Sequence, residues 1–226
     1  PSLTLLVAAN LAALASVSSA APATTTASTA TSQAVVDSKP WTGDFDGMLA
    51  RGRIRMLVPY SRTLFFVENG KKRGLTAELA RDFETYLNQK HAKQLGGRRI
   101  KVTLIPTTRD KLLAELVAGT GDIAGGNLTA TSLRKQTADF VAPTRRVTEE
   151  LLVSGPGAPA VPTLDDLSGK KVNVRQSSSY YESLVALNEK LAAAHKPPVQ
   201  IVAMLDALED EDVLEMLNAG LFDFTV

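Results

Sequence analysis

The sequence predicts an α/β fold of two lobes, each a parallel sheet covered by helices. Two observations carry the prediction. From Trp41 onward, short apolar runs of strand length alternate with segments of helical periodicity, the rhythm of parallel strands joined by helices. The stretch Gly155-Pro156-Gly157-Ala158-Pro159 interrupts this rhythm, which then resumes. The interruption divides the folded part into a first lobe over 43–147, a crossing over 148–158 and a second lobe over 159–226. A chain of 226 residues suffices for one sizeable core or two small ones.

The first segment lies outside this rhythm. No Asp, Glu, Lys, Arg or His precedes Asp37, and Leu3 to Leu14 is an Ala/Leu-rich apolar run. The run is shorter than the roughly 20 apolar residues of a membrane span. Small residues follow it, Ser18-Ser19-Ala20-Ala21-Pro22-Ala23, which reads as a secretory signal over 1–23 cleaved near Ala20 or Ala23. The alternative is a buried core helix. The basic start of such a signal is missing and the chain opens on Pro1, so the true start is expected to lie upstream. Residues 24–42 begin almost entirely with Thr, Ala and Ser and read as a flexible linker. The expected location is periplasmic. With no cysteine in the chain, disulfides, thiolate chemistry and a lipid-modified cysteine are all excluded for it.

In the first lobe, Ile54 to Tyr60 reads as a strand. Leu75 to Leu87 reads as a helix with Leu75, Leu79, Phe83 and Leu87 on one face. Arg99 to Pro106 alternates as a strand, Arg109 to Ala118 as a helix ended by Gly119, and Asp122 to Gly126 as a third strand. Arg145 to Ser154 is extended. In the second lobe Leu164 to Gly169 is a capped turn, Lys171 to Val174 a strand and Ser177 to Ala194 a helix. Val199 to Val202 is a strand, Leu205 to Ala219 a helix, and Phe222 to Val226 the start of another strand. In open sheets of this kind ligands sit beyond the carboxyl ends of the strands. Tyr60 and Asn127, with the residues that follow them, occupy such ends.

The richest chemistry follows the third strand. Gly121-Asp122 leads into an apolar run that breaks into a loop holding Asn127, Thr129, Thr131 and Ser132, with Arg134 close behind. Backbone N–H groups, hydroxyls and one guanidinium delivered to a single place suit a small anion, most simply a carboxylate. A surface ion pair from Arg134 to Asp139 is the plain alternative. A second cluster, Arg175-Gln176-Ser177-Ser178-Ser179-Tyr180, joins a strand to a helix. Its serines either cap the helix or help its free N–H groups hold an anion.

The stretch from Gly121 to Pro143 resembles the G-D-(apolar)-G-x-T-x-T-x-x-R-x-x-x-x-D-F-(S/A)-x-P segment of the family 3 extracellular solute-binding proteins. The resemblance implies a periplasmic binding protein-like fold of type II that holds a small solute between its lobes. It makes Arg134 the carboxylate clamp, with Asn127 and Thr129 beside it. Asn127 stands where the family usually has glycine, and Asn tolerates the left-handed angles that glycine supplies. The resemblance sets Tyr60, Ser61 and Arg62 where an aromatic wall is common, although Tyr60 also suits a strand-end core position. The strand-to-helix turn with Arg175, Ser177, Ser178, Ser179 and Tyr180 would grip the solute from the second lobe. Tyr60-Ser61-Arg62-Thr63 and Ser177 to Leu184 look most like the solute-binding module of the membrane-bound lytic murein transglycosylase F family. There a wall-cleaving domain follows, absent from this sequence. Over Gly220 to Val226 the chain resembles a family segment that leads to an acidic ligand-binding residue, and it ends before that residue. The second lobe is therefore expected to be incomplete.

The remaining motifs are expected to be structural. Glu182-Ser183 lacks the surroundings of a glycosidase pair and reads as an exposed helical pair. Glu209-Asp210-Glu211-Asp212 begins a helix and reads as dipole stabilisation. Lys71-Lys72-Arg73 and Arg98-Arg99 read as loop charges. His91 and His195 lack partners at ligand spacing, so no metal or cofactor is indicated. A formal net charge of +1 speaks against a nucleic-acid surface. The expected partner is a small polar or anionic solute, such as an amino acid, peptide or muropeptide. Peptidoglycan enters only through a further domain. Three functions compete: a non-catalytic module of a wall-cleaving protein, the receptor of an amino-acid importer and an enzyme. The last is disfavoured because no catalytic constellation is present.

Overall fold

A computed structural model describes residues 39–141 and 149–226. The expected signal segment, most of the linker and the start of the extended segment at Arg145 lie outside the described residues. No helix among those described is long and apolar enough to cross a membrane.

The first lobe opens with α1 (Phe45–Arg51), whose N-cap Asp44 accepts a hydrogen bond from the Gly47 N–H. Strand β1 (Arg53–Pro59) follows, then a hairpin of β2 (Phe66–Glu68) and β3 (Lys71–Arg73). Next come α2 (Leu75–Lys90), the short α3 (Ala92–Leu95), β4 (Lys101–Thr107), α4 (Leu112–Val117) and β5 (Ile123–Ala124). Strands β4, β1 and β5 form a parallel sheet in that order. The central strand is buried from Ile54 through Pro59, which includes the charged Arg55.

Arg55 is tolerated there because Asp122, at the start of β5, meets it. The Asp122 carboxylate accepts from the Arg55 guanidinium at 2.8 Å, from the Arg55 backbone N–H at 2.6 Å and from Arg51 at 2.6 Å. A buried charge needs such pairing. Arg51 in turn lies over the Trp41 ring, 3.9 Å from its centroid, and the Trp41 N–H donates to the Gly119 carbonyl at 2.9 Å. This group ties residues 39–41 to the amino ends of β1 and β5.

The second lobe contains β6 (Val153–Ser154), a one-turn helix at Leu164–Leu167, β7 (Lys171–Arg175), α5 (Ser179–Ala193), β8 (Gln200–Met204), α6 (Asp210–Asn218) and β9 (Phe224–Thr225). Strands β7 and β8 pair in parallel, and β6 pairs antiparallel with β9. Thr225 donates to the Asn173 carbonyl at 2.8 Å and so draws β9 against β7. The two lobes have separate apolar cores. The first gathers Met56, Val58, Ala77 and Leu104 in one cluster and Ile54, Leu87 and Ile100 in a second, with Phe83, Val102 and Ile123 packed against both; the other lobe gathers Val172, Val174, Leu184, Leu191 and Phe224.

Both lobes use one device to hold an outer strand. The Asn88 amide on α2 donates to the Ile100 carbonyl and accepts from its N–H, at 2.9 and 3.0 Å. Asn188 on α5 does the same with Val199, at 3.0 and 2.6 Å. Each asparagine satisfies the backbone just before β4 or β8 and so fixes where that strand begins.

Three local expectations are corrected. Lys71, Lys72 and Arg73 form β3 rather than a loop, because Asn69 and Gly70 take positive φ (49° and 73°) and make the tight turn that a two-residue hairpin needs. The buried face of α2 is Thr76, Ala77, Ala80 and Leu87, while Leu75 and Leu79 are 59% and 56% exposed. The small alanines allow close approach to the sheet. Val153 and Ser154, read as extended, are indeed a strand and pair with β9. Finally, α6 begins at Asp210 rather than Leu205, because Glu209 and Asp212 form a reciprocal capping box at its start.

Candidate functional site

The carboxyl ends of the first-lobe strands meet the amino ends of α5 and α6 along a polar seam. Tyr60, Ser61 and Arg62 come from the end of β1, Arg109 from beyond β4, and Asn127 to Arg134 from beyond β5. The second lobe brings Ser177 and Glu182 at α5, with Glu209, Glu211, Asp212 and Glu215 at α6.

Arg134 stands at the centre, with 11% of its side chain exposed. Its Nη1 donates to the Thr129 carbonyl at 3.0 Å within its own loop. Its Nη2 donates to the Ser177 carbonyl at 2.8 Å, and its Nε lies 3.6 Å from a Glu182 carboxylate oxygen. Burial holds the Arg134 pKa below the usual arginine value, and Glu182 only partly offsets this. The expected alternative, a pair with Asp139, is replaced by these contacts. Asn127 does adopt a left-handed backbone, φ 49°, as a residue in the place of glycine must.

Tyr60 is 57% exposed, which rules out the core alternative. Its ring meets Phe65 edge-on at 6.0 Å between centroids, and its hydroxyl accepts from the Val67 N–H at 3.4 Å. Arg62 reaches across to Glu215 at 2.8 Å and Asp212 at 3.1 Å. Glu215 raises the Arg62 pKa through that bond. Among the second-lobe candidates, Ser177 donates through its N–H and hydroxyl to Asp206, at 3.0 and 2.7 Å. Ser178 is the N-cap of α5, and its hydroxyl accepts from the Tyr181 N–H. Ser179 is buried in the first turn, and Tyr180 is half-buried with its pKa raised mainly by that burial. Arg175 is buried and bonded to the Leu208 carbonyl and to Asp210. Its guanidinium anchors α6 rather than facing the seam through those groups.

Two pairings across the seam are not foreseen in the sequence, Arg109 with Glu209 and Ser61 with Glu211. Arg109 pairs with Glu209 and donates to the Gly126 carbonyl, with 11% and 5% of the paired side chains exposed. Ser61 donates to Glu211 at 2.7 Å. Burial works to raise the Glu211 pKa, but bonds from Ser61 and from backbone N–H groups outweigh it and leave the value lowered. The acidic run at α6 thus serves contact between lobes as well as capping. Arg109 was findable, because it follows the carboxyl end of β4 just as Tyr60 and Asn127 follow theirs. Glu182, expected to be merely exposed, faces Arg134.

Two shallow depressions lie elsewhere. One of about 390 Å³ is bordered by Lys71, Lys72 and Arg81, and one of about 320 Å³ by Trp41, Met48 and Asp139. The first also holds Arg73 and Glu78, but its arginines are exposed and already paired, Arg73 with Glu68 and Arg81 with Glu78, so the buried groups of the seam are the better candidates. Among the described residues no three His, Asp or Glu converge as metal ligands.

Comparisons with known proteins bear on this arrangement. Residues 55–225 match the family model described as bacterial extracellular solute-binding proteins, family 3. The membrane-bound lytic murein transglycosylase F of Ectopseudomonas mendocina (strain ymp) is 29% identical over 178 residues, which cover 78% of this chain and 33% of that protein. The L-cystine-binding protein TcyJ of Escherichia coli (strain K12) is 34% identical over 102 residues, 45% of this chain and 37% of that one. In three dimensions, an ancestral arginine-binding protein bound to arginine superposes with a TM-score of 0.52 at 26% identity, covering 77% of this chain and 69% of that one. The chain spans about a third of the length of the curated relatives it matches.

Proposed function

The chain belongs to family 3 of the bacterial extracellular solute-binding proteins, and on that premise we propose that it binds a small amino-acid- or muropeptide-like solute at the seam. Arg134 carries the reading. It sits past the carboxyl end of β5 with Nη1 anchored on its own loop, so the Nε–Nη2 edge is turned toward the second lobe, where Nη2 meets the Ser177 carbonyl and Nε the Glu182 carboxylate. Such an edge matches a carboxylate. Asn127, Thr129 and Tyr60 supply the first-lobe wall, and the start of α5 supplies the opposite one.

A charged hydrogen bond to a ligand carboxylate contributes on the order of 1.5–3 kcal/mol, so Arg134→Ala is expected to weaken binding roughly tenfold or more. Calorimetric titration with L-arginine, L-cystine and a muramyl peptide tests this. Unchanged affinity for a solute that binds the wild type removes Arg134 from the site, and binding of none of them removes the proposal.

The parent role we favour is a non-catalytic, ligand-sensing module of a transglycosylase F-like wall protein. In support, that similarity runs over 78% of the chain, against 45% for the cystine-binding relative. The second reading is the receptor of an amino-acid importer, which the higher identity of that shorter match favours. Sequencing the gene past codon 226 separates them. A lysozyme-like domain there upholds the first reading, and a stop codon soon after the solute-binding fold closes upholds the second.

A further inference from the structure

We infer that Glu182 is a resident carboxylate lying at the position of the solute's carboxylate on Arg134, so that solute binding exchanges one carboxylate for another. This rests on Arg134 being the clamp and adds how that clamp is kept before solute arrives.

The argument is geometric. With Nη1 committed to the Thr129 carbonyl, the guanidinium keeps one two-donor edge, Nε with Nη2. Both donors of that edge face the second lobe, Nη2 on the Ser177 carbonyl and Nε toward Glu182. A cation this buried needs a counter-charge, and Glu182 supplies it from the first turn of α5, a turn fixed by the Ser178 cap. The neighbouring acid, Glu150, is held by the Ser183 hydroxyl at 2.6 Å. The Nε to Glu182 separation of 3.6 Å is beyond hydrogen-bond length. Glu182 therefore neutralises Arg134 without bonding to it, whereas an incoming carboxylate can bond to Nε and share or take over Nη2 from the Ser177 carbonyl. That difference lets the solute displace the resident group.

The test uses acetate as a minimal carboxylate probe. The Arg134 Nε–H signal, assigned by its loss in Arg134→Lys, is followed by NMR during acetate titration of the wild type, Glu182→Gln and Glu189→Gln. Glu189 is exposed on the same helix and controls for the loss of one negative charge. Removing a competing ion pair of this kind should lower the half-saturating acetate concentration about two- to fivefold in Glu182→Gln, with Glu189→Gln matching the wild type. Equal half-saturation in Glu182→Gln and wild type overturns the exchange while keeping the clamp. An equal shift in both variants overturns it too, as a general charge effect. No response in any of the three removes Arg134 as a carboxylate clamp, and both readings fall together.

Discussion

Arg109 and Glu209 face each other across the seam with 11% and 5% of their side chains exposed, which makes each the other's main compensation for lost water. Removing one partner leaves a buried, unpaired charge. Arg109→Met is accordingly expected to destabilise the protein by about 3–5 kcal/mol, and it also strips the Gly126 carbonyl of its donor. Urea unfolding followed by circular dichroism measures this, and a loss no larger than an exposed pair gives would show that water reaches the pair. The contrast with Arg134 explains what the sequence could reveal at this scale. Arg134 sits in an ordered motif whose spacing marks it, whereas Arg109 has only its place after a strand. Its partner lies 100 positions away, and no local pattern links the two. Arg175 shows the converse: its setting before a serine-rich helix start suggests a ligand, yet the fold spends its guanidinium on Leu208 and Asp210.

For whole elements, periodicity located α2 but misjudged its rotation. A pattern of large apolar residues points to Leu75 and Leu79, whereas close packing on the sheet selects the small Ala77 and Ala80, which are 1% and 4% exposed. Hydrophobic size and proximity to the core are different quantities, and a sequence displays only the first. The structure makes a paired prediction. Ala80→Leu forces side-chain atoms against the sheet and should cost about 1–3 kcal/mol, while Leu79→Ala on the exposed face should stay within about 0.5 kcal/mol. Thermal unfolding of both variants checks it, and the reverse ranking would restore the leucine face. The sheet strands were legible because their apolar runs are bounded by turn residues. The hairpin was hidden, since β2 and β3 are only three residues each and largely exposed, and only the Asn69-Gly70 turn announces them.

At the scale of the molecule, two separate apolar cores face each other across a seam whose described hydrogen bonds and ion pairs are polar side-chain contacts. Acid should therefore loosen the seam while the cores stay packed. Glu211 gives the sign. Its folded pKa is lowered, so its contribution is complete above the ordinary glutamate value of about 4.3 and is lost as pH falls through the lower folded value. Glu211→Gln is thus expected to melt below the wild type at neutral pH and to converge with it in acid, as calorimetry across that range would show. A gap independent of pH would mean that the Ser61 contact does not depend on the carboxylate's charge. Finally, the Arg51–Trp41 stack at the amino ends of the first-lobe strands involves the only tryptophan of the chain. The described chain therefore carries one indole emitter, set against the Arg51–Asp122–Arg55 group at the amino ends of β1 and β5. Its fluorescence reports the integrity of the first lobe alone, so opening of the lobes leaves the emission unchanged while unfolding of β1 shifts it to the red.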